Sequence, residues 1–311
     1  MAVGLLGSDV FDLRAAAVTH LRLATAAPNG VYHSIGVGMA HVIEKRLPNI
    51  QVQVVESEGG FQNMRMLDDS IVDLALTQND IAFNAVKTDR VLGHVNRRIF
   101  GLAVLYKELA QIVVAKRAGI HRLADLKGHT VVLGLPQSGS RFSSENVLPF
   151  LGLRPGTIRV RYIDYPEAAR GIVDGTVDAL IVWRAIPAPV LEELLQADVA
   201  ELLPIDPEVV RGLRMNQPFL SAEVIPPGTY ENQPNPVPSI AVKALLVGSA
   251  SLRPALARSI LDALFTNVPD LIAHHPRAAD ISLRSAFWLE DGMAIDLHPG
   301  ARQFFEGSET R

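Results

Sequence analysis

The sequence predicts a soluble α/β protein made of two lobes. Short apolar runs alternate with segments of helical periodicity along most of the 311 residues, a pattern typical of βαβ units and a largely parallel sheet. That length exceeds one ordinary core, so two units are expected. We expect lobe I to comprise residues 21–106 and 225–311, lobe II to comprise residues 107–224, and residues 1–20 to be a leader or linker.

Composition excludes several classes of protein. Apolar residues make up 48% of the chain and charged residues 20%, which is enough to fill two cores and argues against disorder. The net charge is −4 and no block of Lys and Arg stands out, so no nucleic-acid partner is expected. Cysteine is absent, which excludes thiol catalysis, disulfides and cysteine-ligated zinc. No apolar run reaches the ~18 residues of a membrane span, and no export signal is visible at the N-terminus.

Strands and helices are predicted along both halves. In the first half, strands are expected at 21–25, 51–55, 74–77 and 99–106, and helices at 32–47 and 61–67. In the second half, strands are expected at 111–115, 130–134, 158–163, 179–183 and 239–247, and helices near 122, at 142–151, 166–174, 254–267 and 269–274. Five prolines crowd residues 226–238. Because proline cannot donate to a sheet ladder, this segment is expected to be an exposed, extended return crossing between the lobes.

Two loops are the main candidates for a binding site. Residues 26–32 and 134–141 each follow a predicted strand and open a predicted helix, and Gly59-Gly60 forms a third turn of this kind. Helix starts offer free backbone N–H groups and a positive dipole end, which attract anions. A single such loop is weak evidence, because glycine after a strand is common turn chemistry. Three of them on two lobes favour a shared cleft for an anionic ligand.

The sequence gives no support for catalysis. No Gly-Lys-Ser/Thr phosphate loop, dinucleotide turn or HExxH pattern occurs, and Ser138 lacks the Gly-x-Ser-x-Gly context of a nucleophile. His33 and His41 lie eight residues apart, and no acid–base or metal-ligating set is formed. We therefore expect no catalytic residue, no metal and no cofactor, and conclude that the protein is not an enzyme.

Eight segments in order carry a resemblance to a known family. They are Gly30-Val31-Tyr32, Glu58–Asn63, Gln78-Asn79-Asp80, Leu123–Gly128, Gly134–Ser140, Asp174–Ala179, Pro226–Tyr230 and His298–Ala301. Together they resemble the TAXI family of solute-binding proteins, which serve TRAP transporters, over roughly residues 21–305. The chain departs from that family at Phe61, where a serine is usual, and at Gln137, where a glycine is usual.

The resemblance implies a fold and a function. The expected fold is a two-lobed, type II periplasmic-binding-protein-like fold with the ligand cleft between the lobes. The expected function is capture of a small carboxylate-bearing solute, an amino acid such as glutamate or a related organic acid, by hinge closure. Delivery to a TRAP permease and a periplasmic or otherwise extracytoplasmic location complete this expectation. Separately, a monomer is expected.

The predicted ligand-binding residues come from both lobes. They are Asn29, Gly30, Tyr32, Gly60, Phe61, Asn63, Gln78, Asp80, Ser138, Gly139, Ser140, Arg141, Trp183, Arg184 and Tyr230. The two arginines are candidates for a bidentate carboxylate clamp, with a surface charge as the equal alternative. The serines would bind a carboxylate together with backbone N–H groups. The remaining polar side chains would hydrogen-bond the ligand, although helix capping competes at Asp80, and core packing competes for Trp183 and Tyr230.

Two alternatives remain open at this stage and a third is excluded. The same fold could feed a signalling partner as a sensory module, or it could serve an ABC-type transporter. An enzyme that assembles a tetrapyrrole precursor on a similar scaffold needs a cysteine for its cofactor, and this chain has none.

Overall fold

A computed structural model describes residues 17–28, 30–154, 156–286 and 292–308. The strands are β1 Thr19–Ala24, β2 Ile50–Val55, β3 Leu74–Gln78, β4 Ile99–Ala115, β5 Thr130–Val132, β6 Arg159–Arg161, β7 Ala179–Arg184, β8 Ala200–Leu203, β9 Ser221–Ile225 and β10 Val237–Ser249. The helices are α1 Val31–Arg46, α2 Gly60–Asp68, α3 Asn79–Lys87, α4 Gly139–Val147, α5 Tyr165–Asp174, α6 Pro189–Gln196, α7 Pro207–Asn216, α8 Pro254–Thr266, α9 Val268–His274 and α10 Pro299–Ser308.

The ten strands form one mixed sheet, whose main path is β2-β1-β3-β10-β4-β7-β5-β6. Parallel pairs occur toward both ends, where β1 pairs with β2 and β3, and β5 pairs with β6 and β7. The two longest strands, β4 and β10, lie in the middle and pair antiparallel. Strands β8 and β9 pair with β4 and β10 outside this path. The long central pair therefore connects the two parallel parts of the sheet.

The core lies on both faces of the sheet. Leu74 and Leu76 of β3 pack with α1, α8 and α10 on one face, whereas Ala75 packs with α2 and α3 on the other. In the other half, Val131 and Val132 of β5 likewise face two different apolar clusters. Because successive strand residues point to opposite faces, strands covered on both sides are apolar throughout. This explains why the strands could be located from short apolar runs.

Three features differ from the sequence expectation. The predicted strands at 99–106 and 111–115 are one strand, since Lys107 and Glu108 also pair with β10; these two charges interrupted the apolar pattern. The proline-rich segment is the loop of an antiparallel hairpin between β9 and β10, and β10 itself makes the long run beside β4. Helices α3, α6, α7 and α10 and strands β8 and β9 were not predicted. Residues 1–16 of the predicted leader lie outside the described residues, and Thr19 already belongs to β1.

Candidate ligand-binding cavity

A cavity of about 990 Å³ opens at the carboxyl ends of β1, β3, β5, β6 and β7. Its wall includes the first residues of five helices, α1, α2, α4, α5 and α6. Ligand sites in open α/β sheets form at this edge, because the loops leaving the strands converge there. A volume of this size suits a small organic molecule.

Three of these helices offer unpaired backbone donors. Helices α1, α2 and α4 have no acidic residue in the first turn. The N–H groups without an acceptor in the described part of the chain belong to Val31, Tyr32, Gly60, Phe61, Gly139 and Ser140. Helix dipoles add a partial positive charge at the same points. The three helix starts together therefore suit an anionic group.

Gly139 permits the close approach of two of these elements. A Cβ atom at this position would lie 1.6 Å from Oε1 of Gln78, the last residue of β3. Real Cβ contacts are never that short, so any side chain at residue 139 would displace Gln78. Gly59 precedes α2 with φ of 122°, a conformation that glycine adopts without steric cost.

A buried polar group, here named the Glu108 cluster, lies at the cavity and comprises Glu108, Gln78, Tyr32 and Tyr106. Glu108 and Gln78 line the cavity, and Nε2 of Gln78 donates to Oε2 of Glu108 at 2.7 Å. Burial raises the pKa of the Glu108 carboxyl to about 7. The Tyr32 hydroxyl acts to lower this pKa, although it does not meet hydrogen-bond criteria with the carboxylate. Oε1 of Gln78 and both tyrosine hydroxyls are buried and have no partner among the described residues.

Arg184 supplies a cationic group to the same cavity. It ends β7, lines the cavity and has its guanidinium 5.5 Å from the centre of the Tyr165 ring. Its charge acts to lower the pKa of Glu108, although burial has the larger effect. Arg184 forms no ion pair with another described side chain.

The cavity brings together nine of the predicted site residues: Gly30, Tyr32, Gly60, Gln78, Ser138, Gly139, Ser140, Trp183 and Arg184. The two serine hydroxyls are already engaged within the protein. Oγ of Ser138 caps α4 by accepting from the Arg141 amide at 3.2 Å and donates to the Leu135 carbonyl. Oγ of Ser140 donates to the carbonyl of Trp183 and accepts from its amide. A ligand at the start of α4 would therefore meet backbone N–H groups, because the Ser138 and Ser140 hydroxyls are already hydrogen-bonded within the protein.

Five predicted residues do not line the cavity, and Asn29 lies outside the described residues. The Asn63 amide donates to the carbonyls of Thr25 and Leu76, both at 2.6 Å, and so ties the ends of β1 and β3 together. The Tyr230 hydroxyl accepts from the Ala188 amide at 2.8 Å and donates to Gln111. These two side chains hold neighbouring segments in place.

The other three residues hold α4 against α2 and α3. Asp80 accepts from the Ser143 hydroxyl at 2.6 Å, and burial raises its pKa to about 6. Phe61 packs against Phe142 with ring centres 5.5 Å apart. The Arg141 guanidinium lies 5.1 Å from the Phe61 ring centre and 3.4 Å from the Glu145 carboxylate. Arg141 is therefore not part of the expected clamp in this arrangement.

Several cavity residues were missed from the sequence. Glu108, Tyr165 and Glu58 line the cavity together with an apolar wall from α5 and α6, formed by Pro166, Ala169, Val173, Val190 and Leu194. Glu108 had one usable signal, since it is an acidic residue inside an apolar run that forms a buried strand. The apolar wall had none: α6 was not predicted, and the predicted α5 carried no sequence signal that its apolar side chains would face the ligand. Among the described residues, no cluster of three or more His, Asp or Glu side chains could hold a metal ion.

Within the described ranges, no helix has both the length and the apolar character needed to cross a bilayer.

Comparison with solved structures identifies the class of fold. The chain superposes on the alkanesulfonate-binding protein SsuA from Xanthomonas axonopodis pv. citri bound to MOPS, with a TM-score of 0.50, 16% identity and coverage of 88% of this chain and 86% of that chain. A putative sulfonate ABC transporter, periplasmic sulfonate-binding protein SsuA from Methylobacillus flagellatus gives a TM-score of 0.51 at 14% identity, with coverage of 85% and 73%. The protein thus has a mixed α/β, periplasmic-binding-protein-like fold with a curled sheet, which confirms the predicted fold class.

Residues 23–308 match the model of the NMT1-like family, and the chain belongs to this family. A putative aliphatic sulfonates-binding protein of Escherichia coli (strain K12) is 31% identical over 157 residues, which are 48% of this chain. The match spans 46% of the length of that relative, about half.

These findings correct the resemblance inferred from the sequence. Membership of the TAXI family, service to a TRAP permease and an amino-acid ligand are wrong, because the matching family is the NMT1-like family and the similar proteins are described as sulfonate-binding. The eight segments misled because most are small-residue turns and strand entries, such as Gly59-Gly60 and Gly175. Such turns follow from the architecture and carry little information about the ligand.

Proposed function

We propose that the protein is the extracytoplasmic solute-binding component of an ABC-type transporter and holds a small organic sulfonate in the cavity. The observation that carries this proposal is the meeting of three helix starts, at Gly30, Gly59 and Ser138, around one cavity that also contains Arg184. A sulfonate has three acceptor oxygens and one charge, so it can use several backbone donors at once. Binding without chemistry fits the site, and the protein acts as a carrier and not as an enzyme.

The apolar wall supports an organic rather than an inorganic anion. Val190 and Leu194 of α6 face the cavity together with Ala169 of α5. This wall would cover the carbon chain of a ligand whose sulfonate lies at the helix starts. Each buried CH₂ group contributes about 0.8 kcal/mol to such binding. The names of the relatives, which include aliphatic sulfonate and alkanesulfonate, agree with this ligand class.

Capture would use movement of two lobes, residues 21–106 with 225–311 and residues 107–224. The start of α4 already contacts α2, since the Gln137 amide donates to Glu58 at 2.8 Å and the Gln137 carbonyl accepts from the Gln62 amide. A ligand touching helix starts on both sides favours this closed arrangement through its differential affinity. The closed form would then be recognised by the membrane permease.

Calorimetry on protein stripped of ligand tests the proposal. The probes are ethanesulfonate and butane-1-sulfonate against propionate and pentanoate, which have the same chain lengths. We expect each sulfonate to bind at least about tenfold more tightly than its carboxylate partner, a difference of about 1.4 kcal/mol. Absence of binding by every sulfonate probe would contradict the proposal.

The same experiment has a matched pair of variants. Gly139→Ala is expected to weaken sulfonate binding by at least about tenfold. The added Cβ at the start of α4 would clash with Gln78, which ends β3, and displace it. Gly212→Ala in α7 has open space around the added Cβ and serves as the control. If the two variants bind butane-1-sulfonate with equal affinity, the start of α4 does not contact the ligand.

A further inference from the structure

We infer that Glu108 is a specificity-determining residue that accepts a hydrogen bond from the ligand, so that the sulfonate carries a donor group, ammonium or hydroxyl, on its carbon chain. This inference rests on the proposed function of the cavity and adds a second recognition point to it. Alkanesulfonates without a donor would then bind, but more weakly than donor-bearing sulfonates of similar size.

Glu108 lies close to the proposed sulfonate position. One hydrogen bond joins its Oε2 to Nε2 of Gln78, and Oε1 of the same glutamine occupies the space beside Gly139. A single side chain therefore separates the carboxylate from the start of α4. Both groups line the same cavity, so a short ligand can contact the backbone donors with one end and Glu108 with the other.

The carboxylate has few partners for a buried charge, and burial outweighs them. Glu108 is 5% exposed and forms no ion pair within the described ranges. Burying an ionised carboxylate is costly unless hydrogen bonds or a cation compensate, and Gln78 supplies only one bond. The Tyr32 hydroxyl interacts with the carboxylate and acts to lower its pKa, but neither this hydroxyl nor that of Tyr106 forms a hydrogen bond with a described residue. A donor on the ligand would complete this cluster.

Glu108 could interact with a sulfonate in the opposite way, by staying protonated and donating to it. The two cases differ in their dependence on pH. The groups that act on Glu108 from neighbouring elements are Tyr32 of α1, Gln78 of β3, Asp80 of α3, Tyr106 of β4, Tyr165 of α5 and Arg184 of β7. Arg184 favours the ionised carboxylate and Asp80 opposes it.

The sign of the pH effect follows from the pKa of Glu108, which burial raises to about 7. The carboxylate is mostly protonated at pH 6 and mostly ionised at pH 8. Affinity for a donor-bearing sulfonate should therefore rise between pH 6 and pH 8. If the protonated acid donated to the sulfonate instead, the affinity would fall over the same interval.

The test compares three probes of similar size on the full chain. They are 2-aminoethanesulfonate, 2-hydroxyethanesulfonate and propane-1-sulfonate, which place an ammonium, a hydroxyl or a methyl group at the same position. At pH 8 we expect at least one of the two donor-bearing probes to bind at least about tenfold more tightly than propane-1-sulfonate. A preference for the ammonium over the hydroxyl identifies a charged donor, and the reverse preference identifies a neutral one.

The variant Glu108→Gln should reduce the preference for the donor-bearing probe to about threefold or less and remove its rise with pH. The control is Asp262→Asn, which removes one negative charge from the exposed face of α8. It should keep the preference for the donor-bearing probe and the rise of affinity with pH. Three outcomes would overturn the inference without affecting sulfonate binding itself. They are equal binding of all three probes, a fall in affinity from pH 6 to pH 8, and an unchanged preference in Glu108→Gln. Failure of all sulfonates to bind would overturn the proposed function as well. If Glu108→Gln does not fold, the probe comparison and the pH series on the unmodified protein still test whether the ligand donates to an ionised Glu108.

Discussion

Asp80 is a buried acid whose position makes stability depend on pH. It is fully enclosed, and its carboxylate accepts from the Ser143 hydroxyl and from the Ile81 amide. Burial outweighs these bonds and raises its pKa from 3.8 to about 6. Between these two values the folded protein binds more protons than the unfolded chain, so the free energy of unfolding falls as the pH rises.

We predict that Asp80→Asn makes the free energy of unfolding less dependent on pH between 4 and 6. The aspartate contributes at most about 1.4 kcal/mol per pH unit in this window. Glu108 acts in the same direction up to about pH 7, so some dependence should remain. Urea unfolding at several pH values measures this, with the exposed Asp262→Asn as control. An unchanged slope in Asp80→Asn would show that this carboxyl does not titrate as described.

At the scale of single residues, the sequence identified positions better than roles. Ser138 and Ser140 were predicted as ligand-binding hydroxyls, but their Oγ atoms are used for helix capping and for bonds to Trp183. Arg141 and Arg184 looked alike in the sequence, and only Arg184 lines the cavity. Side-chain direction depends on which partner lies closest in space, here Phe61 and Glu145 for Arg141, and sequence spacing does not contain that information.

Helix α4 is the element that joins the two sides of the cavity. Its first turn lines the cavity, and Phe142 inserts into the apolar cluster formed by α2, α3 and neighbouring strands. Ser143, the next residue along α4, donates a hydrogen bond to Asp80 of α3. The position of the α4 backbone donors therefore depends on contacts made by the next residues along the helix.

We predict that Phe142→Ala lowers the free energy of unfolding by about 3–5 kcal/mol, because the ring is 5% exposed and its removal leaves a cavity. Phe150, in the short turn after α4, is 38% exposed, and Phe150→Ala should change stability by about 0.5 kcal/mol or less. Urea unfolding of both variants compares them directly. Similar losses in the two variants would mean that α4 is not anchored by Phe142.

At the scale of elements, apolar runs and helix-opening turns located β1, β2, β3, β7 and the first helices well. The failures have specific causes. Helix α3 follows β3 without an intervening turn residue, so no boundary signal marks it. Strand β4 contains Lys107 and Glu108 in its middle, which divided one strand into two predicted ones. For β4 the pairing with β10 and β7 determines the structure, and pairing partners distant in sequence are not visible in a local pattern.

At the scale of the whole molecule, the two halves share one strand. Residues of β4 belong to all four apolar clusters, with Leu102, Val104, Ile112 and Val113 each in a different one. Strand β10 runs beside it and pairs with β3 on the other side. Separate unfolding of either half would expose part of this shared strand.

We therefore predict a single unfolding transition in urea. Far-UV circular dichroism and tryptophan fluorescence should give the same midpoint, because coincident transitions are the mark of two-state unfolding. Thermal unfolding by calorimetry provides a second check through agreement of the calorimetric and van't Hoff enthalpies. Two midpoints that differ between the probes would show that the halves unfold independently.

The location of Glu108 on β4 has a consequence for how this protein can change over evolution. The residue that we infer to select the ligand is part of the same backbone segment that both halves need in order to fold. A new ligand preference gained by altering this strand would carry a risk to the whole chain. Variation in specificity is therefore expected to accumulate first in the walls that α5 and α6 contribute, where substitutions leave the shared strand untouched.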